Sequence, residues 1–222
     1  MTIISPSMLS CDFSKMAEEV KKTAEAGAEY LHIDVMDGMF VPNITLGPCI
    51  VAAIRPHSDI VFDVHLMIQE PIRYLSEFQK AGADIITVHE EACSDVAATL
   101  KEIRALGCKA GLSIKPKTDP EKLREYLPLV DMILIMTVEP GFGGQSYIHE
   151  ATENIRAAKK MVKESGLDIA IEVDGGITTE TIKEAAEAGA TIFVAGSAVY
   201  KKPDIKKAIA DLRAGADSVI AK

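Results

Sequence analysis

The sequence predicts an α/β fold: a single (β/α)₈ TIM barrel of eight parallel strands alternating with helices, one domain spanning residues 1–222. Three observations carry this expectation. A phrase recurs along the chain, EAGAEYLHID at 25–34, KAGADIITVH at 80–89 and EAGATIFVAG at 187–196, with looser copies ALGCKAGLSI at 105–114 and ESGLDIAIEVDGG at 164–176. Each copy ends a helical segment on Gly, suited to the left-handed position after a helix, and then enters a β-branched run suited to a buried parallel strand. Second, the separations Gly27–Gly82 (55 residues), Gly82–Gly107 (25), Gly107–Gly166 (59) and Gly166–Gly189 (23) are one or two units of about 27 residues. Third, eight such units fill 222 residues with no linker and no break in composition. An open doubly wound sheet is the alternative that the same alternation allows.

The elements follow in order. TIISPSML supplies the first strand and EYLHIDVM the second, separated by a helix whose Glu18-Glu19-Val20-Lys21-Lys22 stretch is a solvated face of i,i+3 and i,i+4 pairs. DIVFDVHLM at 59–67 is the third strand, DIITVH the fourth and KAGLSI the fifth. VDMILIMTV at 130–138 is the sixth, DIAIEVD the seventh and TIFVAG the eighth. RAGADSVIA at 213–221 resembles the repeat but reads as the terminal helix. In such a barrel, chemistry belongs in the loops at the carboxyl ends of the strands.

Composition narrows the function classes. Lys and Arg number 24 against 33 Asp and Glu, a net charge of −9, which argues against nucleic acid and membrane as partners. A small anion is still allowed, because backbone N–H groups hold phosphate without a cationic surface. A chain of this length folds without a disulfide or metal staple, so any metal must be functional. Cys11, Cys49, Cys93 and Cys108 are dispersed, with no zinc-finger spacing, and read as reduced thiols of a cytoplasmic protein. The opening MTIISPSMLSCDF lacks the basic start of a secretory signal, and no apolar run approaches the roughly 18 residues of a membrane span.

Strand parity then selects the candidate site. His32, Asp34 and Met36 share one face of the second strand, Ile33 and Val35 the other. The apolar set packs on the helices, so His32 and Asp34 point inward. Asp63, His65 and Met67 alternate in the same way on the third strand, and Glu172 and Asp174 on the seventh. A single inward His or Asp is commonly a satisfied core residue. Four at matching heights, His32, Asp34, His65 and Asp174, form a set suited to Zn²⁺, Mn²⁺, Fe²⁺ or Co²⁺ more than to Mg²⁺. Glu172, one layer lower, is expected to support the set. His89 closes the fourth strand and remains open, with a packing role favoured, while His57 and His149 are expected to be solvated.

Glycine marks a second feature. Gly141, Phe142, Gly143 and Gly144 follow the sixth strand, Gly175 and Gly176 the seventh, and Gly196 and Ser197 the eighth. Loops after the last strands of a barrel frequently bind phosphate, so three glycine clusters there favour a phosphorylated substrate. Met36, Met67 and Met136 end the second, third and sixth strands. They are either core or a soft cushion around a planar, electron-rich intermediate.

The segments SPSMLSCDF, HIDVMDGMFVPNITLG, DVHLM, VEPGFGGQ, EVDGGI and VAGSAVY, in that order from Ser5 to about Tyr200, together resemble the ribulose-phosphate 3-epimerase family. The resemblance implies a ribulose-phosphate-binding barrel that interconverts D-ribulose 5-phosphate and D-xylulose 5-phosphate, in the pentose phosphate pathway, through a metal-stabilised enediolate. It implies one divalent ion, Zn²⁺ first with Fe²⁺, Mn²⁺ or Co²⁺ as alternatives, on His32, Asp34, His65 and Asp174. Asp34 is then the proton acceptor and Asp174 the proton donor. Ser7 and His65 fall on substrate contacts, and Gly141, Phe142, Gly143, Gly144, Gly175, Gly176, Gly196 and Ser197 on phosphate-side loops. A homo-oligomer is also implied. Lys117 and Glu90 depart from the usual family residues, which leaves the local chemistry of their loops open. A hexulose 6-phosphate epimerase is the nearest rival, although the intact GFGG and DGG steps favour the pentulose. A lyase of the related Asp-x-Lys-x-x-Asp type is disfavoured because His32-Ile-Asp34-Val-Met-Asp37 contains no Lys. A non-catalytic sugar-phosphate-binding barrel is the remaining alternative.

Overall fold

The computed structural model describes residues 2–220. Met1, Ala221 and Lys222, the ends of the expected 1–222 domain and the last position of the RAGADSVIA segment, lie outside the described residues. The strands are β1 (Ile3–Pro6), β2 (Tyr30–Met36), β3 (Val61–Met67), β4 (Ile85–His89), β5 (Lys109–Ile114), β6 (Met132–Met136), β7 (Ala170–Asp174) and β8 (Ile192–Ala195). All pair in parallel in one sheet, order β1-β8-β7-β6-β5-β4-β3-β2. A parallel bridge between Ser7 and His32 brings the two ends of that order together, so the sheet is a nearly closed barrel.

The period of two along each strand sorts the side chains. Ile33, Val35, Val64, Leu66, Ile86 and Val88 face outward and join the main apolar core under the helices. Inward, Ile85, Met132 and Ile192 close the amino-terminal end of the barrel with Ile3, Tyr30, Val61 and Ala170. Above that apolar plug the interior turns polar: His32, Asp63, His65, Thr87, Ser113 and Glu172 are completely buried. Burying polar groups is unfavourable unless they find partners, so this layer is where the fold gives up stability for chemistry.

The helices are α1 (Met16–Glu25), α2 (Pro48–Ile54), α3 (Leu75–Lys80), α4 (Val96–Ala105), α5 (Thr152–Ser165), α6 (Thr181–Ala188), α7 (Ser197–Tyr200) and α8 (Ile205–Ile220). In α5 the buried residues Ile155, Ala158, Met161 and Val162 make one apolar face at helical spacing. The expected glycines do follow α1, α3, α4, α5 and α6, each with a positive φ. One connection differs from the alternation that the sequence predicts. Between β5 and β6 the chain forms a 3₁₀ run, Pro120–Leu129, instead of an α-helix. Pro128 inside that run has no N–H to donate, which interrupts an α-helical ladder. The RAGADSVI segment lies within α8, as a terminal helix should. Among the described residues no helix is long and apolar enough to cross a membrane.

Candidate active site

Register builds the site. Parallel pairing of β2 with β3 sets His32 opposite Asp63, Asp34 opposite His65 and Met36 opposite Met67, and pairing of β6 with β7 sets Met136 opposite Asp174. Hydroxyls brace the strand ends. Thr45 Oγ1 donates to the Asp34 carbonyl (2.7 Å) and accepts from Met36 N–H (3.0 Å). Thr137 Oγ1 bridges the carbonyls of Asp174 (3.0 Å) and Gly175 (2.6 Å). Asp37 ties two mouth loops together by accepting N–H bonds from Met39, Phe40 and Gln69.

The four side chains selected by parity meet at one point. His32 Nε2 lies 3.3 Å from Asp34 Oδ1, 3.4 Å from His65 Nδ1 and 3.9 Å from Asp174 Oδ2. His65 Nδ1 lies 3.1 Å from Asp34 Oδ1 and 3.8 Å from Asp174 Oδ2. A tetrahedral ion with bonds of about 2.0–2.1 Å requires donor–donor edges of about 3.3 Å. Two imidazole nitrogens and two carboxylate oxygens converging at such separations are a donor set that could hold a divalent metal.

The surroundings separate the two carboxyls electrically. Asp34 is buried, which alone raises its pKa, but the imidazoles of His32 and His65 outweigh burial and hold it well below the usual carboxylate range. Asp174 is pushed up to about 6, first by burial and then by the charge of Asp34. Ser7 Oγ donates to Asp34 Oδ2 at 2.7 Å, so the serine orients that carboxylate from the opposite side of the cluster.

Two further layers lie around these groups. Beneath, Asp63 Oδ2 contacts His32 Nδ1 at 2.6 Å, and Glu172 Oε1 is 3.9 Å from the same nitrogen. Among the described residues neither Glu172 oxygen has a hydrogen-bond partner, and burial followed by the charge of Asp63 raises its pKa well above the ordinary value. Outward, His89 is wholly buried, with Nε2 2.9 Å from His65 Nε2 and Nδ1 3.3 Å from Glu91 Oε2. Burial opposes the charge on Glu91, but its donors prevail and hold its pKa down to about 2. Asp63 and Glu91 are the residues that sequence reasoning passed over. Asp63 shared the inward parity of His65, a signal available in the sequence, whereas Glu91 lies beyond the strand where parity says nothing. His57 and His149 are exposed, as expected, although His149 pairs with Glu184 at 2.8 Å.

Above the cluster a cavity opens at the carboxyl ends of the strands. Ser7, Asp34 and Asp174 reach its wall, while His32 and His65 lie beneath its floor. Met36, Met67 and Met136, nearly inaccessible to solvent, line the floor beside the carboxylates. Gly141, Phe142, Gly143 and Gly144 form one rim, and Gly175, Gly176, Gly196 and Ser197 the facing one. Gln145 Nε2 staples the first rim by donating to the carbonyls of Glu139 (2.7 Å) and Phe142 (2.8 Å), and Asn43 Nδ2 holds the Gly141 carbonyl at 2.8 Å. A Cβ on Gly176 would lie 2.3 Å from Tyr147 N, backbone that cannot rotate away, so glycine there is a steric requirement; one on Gly196 would lie 2.5 Å from Ser10 Oγ, a side-chain tip that would have to turn aside. Lys117 and Glu90 stand apart from the cavity, near Glu139 (3.9 Å) and Lys122 (3.0 Å) respectively.

A parallel barrel with carboxylates of opposed proton affinity and a glycine-rimmed cavity defines an enzyme of the acid–base class. A model of the Ribulose-phosphate 3 epimerase family matches residues 3–200. The chain is 50% identical to the ribulose-phosphate 3-epimerase of Bacillus subtilis (strain 168), over 96% of its own length and 99% of that protein. It is 53% identical to the ribulose-phosphate 3-epimerase of Synechocystis sp., over 95% of its own length and 93% of that protein. The crystal structure of KGPDC from Streptococcus mutans shares the fold, with TM-score 0.70, 13% identity and 99% coverage of each chain. The chain belongs to the ribulose-phosphate 3-epimerase family and is an isomerase.

Proposed function

We propose that the whole chain acts as one catalytic barrel, a metal-dependent 3-epimerase interconverting D-ribulose 5-phosphate and D-xylulose 5-phosphate. The observation that carries this reading is the pair Asp34 and Asp174. They are two carboxyls that both reach the cavity wall, with oxygens within 4.8 Å of each other. Epimerisation at C3 removes a carbon-bound proton from one face and returns one to the other, so it needs an ionised and a protonated group together. In one direction the Asp34 carboxylate takes the C3 proton and the Asp174 carboxyl donates to the opposite face; in the reverse direction the two exchange roles. Ser7 keeps Asp34 aimed through its 2.7 Å hydrogen bond. Met36, Met67 and Met136 exclude water and lie against the planar, electron-rich intermediate. The glycine rims, Gly141 to Gly144 with Gly175, Gly176, Gly196 and Ser197, hold the phosphate and so fix C3 between the carboxyls.

His32, Asp34, His65 and Asp174 would hold the metal, and their mixed nitrogen and oxygen donors favour Zn²⁺, with Fe²⁺, Mn²⁺ or Co²⁺ as alternatives. A bound divalent ion supplies Lewis-acid stabilisation of the negative charge that develops next to C3. We read the enzyme as a cytoplasmic homo-oligomer, with which its four free thiols accord.

The test is turnover of Asp34→Asn and Asp174→Asn. Each variant is expected to lose about 10²–10⁴ in kcat with the barrel folded. Near-full activity in either refutes the two-carboxylate scheme. In deuterated water the wild-type product should carry deuterium at C3. Faster turnover of a hexulose 6-phosphate would replace the substrate and keep the chemistry.

A further inference from the structure

A chain of hydrogen bonds runs from His65 away from the cavity, through His89 and Glu91, to the loop after β5. Its geometry is complete. His65 Nε2 and His89 Nε2 are 2.9 Å apart, and His89 Nδ1 is 3.3 Å from Glu91 Oε2. Glu91 Oε1 accepts the Lys115 backbone N–H at 2.8 Å and the Thr118 hydroxyl. The His65 and His89 rings stack at 5.0 Å with 29° between planes, and Phe40 packs on His89 at 4.8 Å, so neither ring is free to turn.

Donor and acceptor logic gives the chain one direction, and both ends give the same one. The inference rests on the metal-site reading above. Where His65 Nδ1 is a ligand atom it bears no proton, so neutral His65 carries its proton on Nε2. That N–H points at His89 Nε2, which must then accept, leaving the proton of His89 on Nδ1, aimed at Glu91. At the far end, the Lys115 N–H is an obligatory donor and occupies one Glu91 oxygen. The second oxygen, as part of a carboxylate, can only accept. With its proton on Nε2 instead, His89 would set that N–H against the His65 N–H at 2.9 Å and turn a bare Nδ1 toward the Glu91 carboxylate.

We propose that His89 and Glu91 are positioning residues that lock His65 in the tautomer whose Nδ1 lone pair faces the metal site. They act through His65 and touch neither substrate nor metal. The opposing imidazole, His32, has the matching arrangement with Asp63 on its Nδ1. Imidazole ligands are commonly oriented in this way, and loss of such partners typically lowers metal affinity about 10–100-fold.

Glu91→Gln tests the direction itself because it preserves shape. Glutamine has one oxygen. If that oxygen keeps the Lys115 N–H, its NH₂ faces His89 Nδ1, which must then accept. His89 Nε2 becomes the donor and collides with the His65 N–H. Zinc affinity, measured by competition with a chromophoric chelator, should fall about 10–100-fold in Glu91→Gln. In Glu90→Gln, whose side chain pairs with Lys122, it should stay within about threefold. Long-range ¹H–¹⁵N spectra of zinc-loaded wild type should show His89 protonated on Nδ1. Unchanged zinc affinity in a folded Glu91→Gln, or a wild-type His89 protonated on Nε2, overturns the proposal, and the spectrum decides it even where the variant fails to fold. Failure of the wild type to bind zinc at all would instead refute the metal-site reading, and this inference with it.

Discussion

Two glycines offer a controlled test of the phosphate rim. Gly166 and Gly176 have nearly the same left-handed backbone, φ 68° and 66°. A Cβ on Gly166 meets nothing within 4 Å, whereas one on Gly176 lies 2.3 Å from Tyr147 N and 2.5 Å from Tyr147 Cα. Gly166→Ala therefore isolates the backbone term, about 1–2 kcal/mol for an L-residue in this region. For a chain of this size that is a Tm loss of roughly 2–8 °C. Gly176→Ala adds overlap with backbone, which cannot rotate away, at about 1–3 kcal/mol more, for a total Tm loss of roughly 4–20 °C. Relieving that overlap requires the Ser146–Tyr147 segment, and with it the rim at Gly144, to move by about 1 Å, a misplacement that costs about 10–100-fold in kcat/KM on the phosphorylated substrate. Thermal melts and initial rates on both variants are the assay. Equal Tm losses, with kcat/KM unchanged in Gly176→Ala, would refute the assignment of this rim to phosphate.

Ser7→Ala removes the 2.7 Å donor to Asp34 and should lower kcat about tenfold, read from steady-state kinetics. Glu91 supplies a pH signature. Its folded pKa of about 2 lies below the usual value, so the stability it contributes is present above about pH 4.5 and is lost as pH falls toward 2. The Tm difference between wild type and Glu91→Gln should therefore shrink across that window; a constant difference would contradict the hydrogen bonds assigned to the Glu91 carboxylate.

The residues that matter were unequally legible. His32, Asp34, His65 and Asp174 could be selected because a strand has a period of two and the apolar residues declare the opposite face. The glycine rims were legible because glycine after three successive strands is a local signal. Asp63 was visible on the correct face, yet nothing local distinguished it from a polar core residue until the register set it opposite His32. Glu91 sits in a 3₁₀ turn after β4, and its partners Lys115 and Thr118 come from the next loop, so its place required three-dimensional adjacency. His89 was expected to be packing; it is packed, and it also contacts His65.

Periodicity and composition are local properties, set by covalent geometry and by the free energy of exposing apolar surface. The sequence alone therefore determined the eight-strand alternation, the inward faces and the loops where chemistry belongs. Distances between groups on different strands depend on register, twist and closure of the sheet, which are collective. Only the tertiary structure decided that His32 and His65 present nitrogens to Asp34 and Asp174 at 3.1–3.9 Å, and that Asp34 and Asp174 differ in proton affinity. It also decided which hydrogen bonds turn each imidazole toward that point.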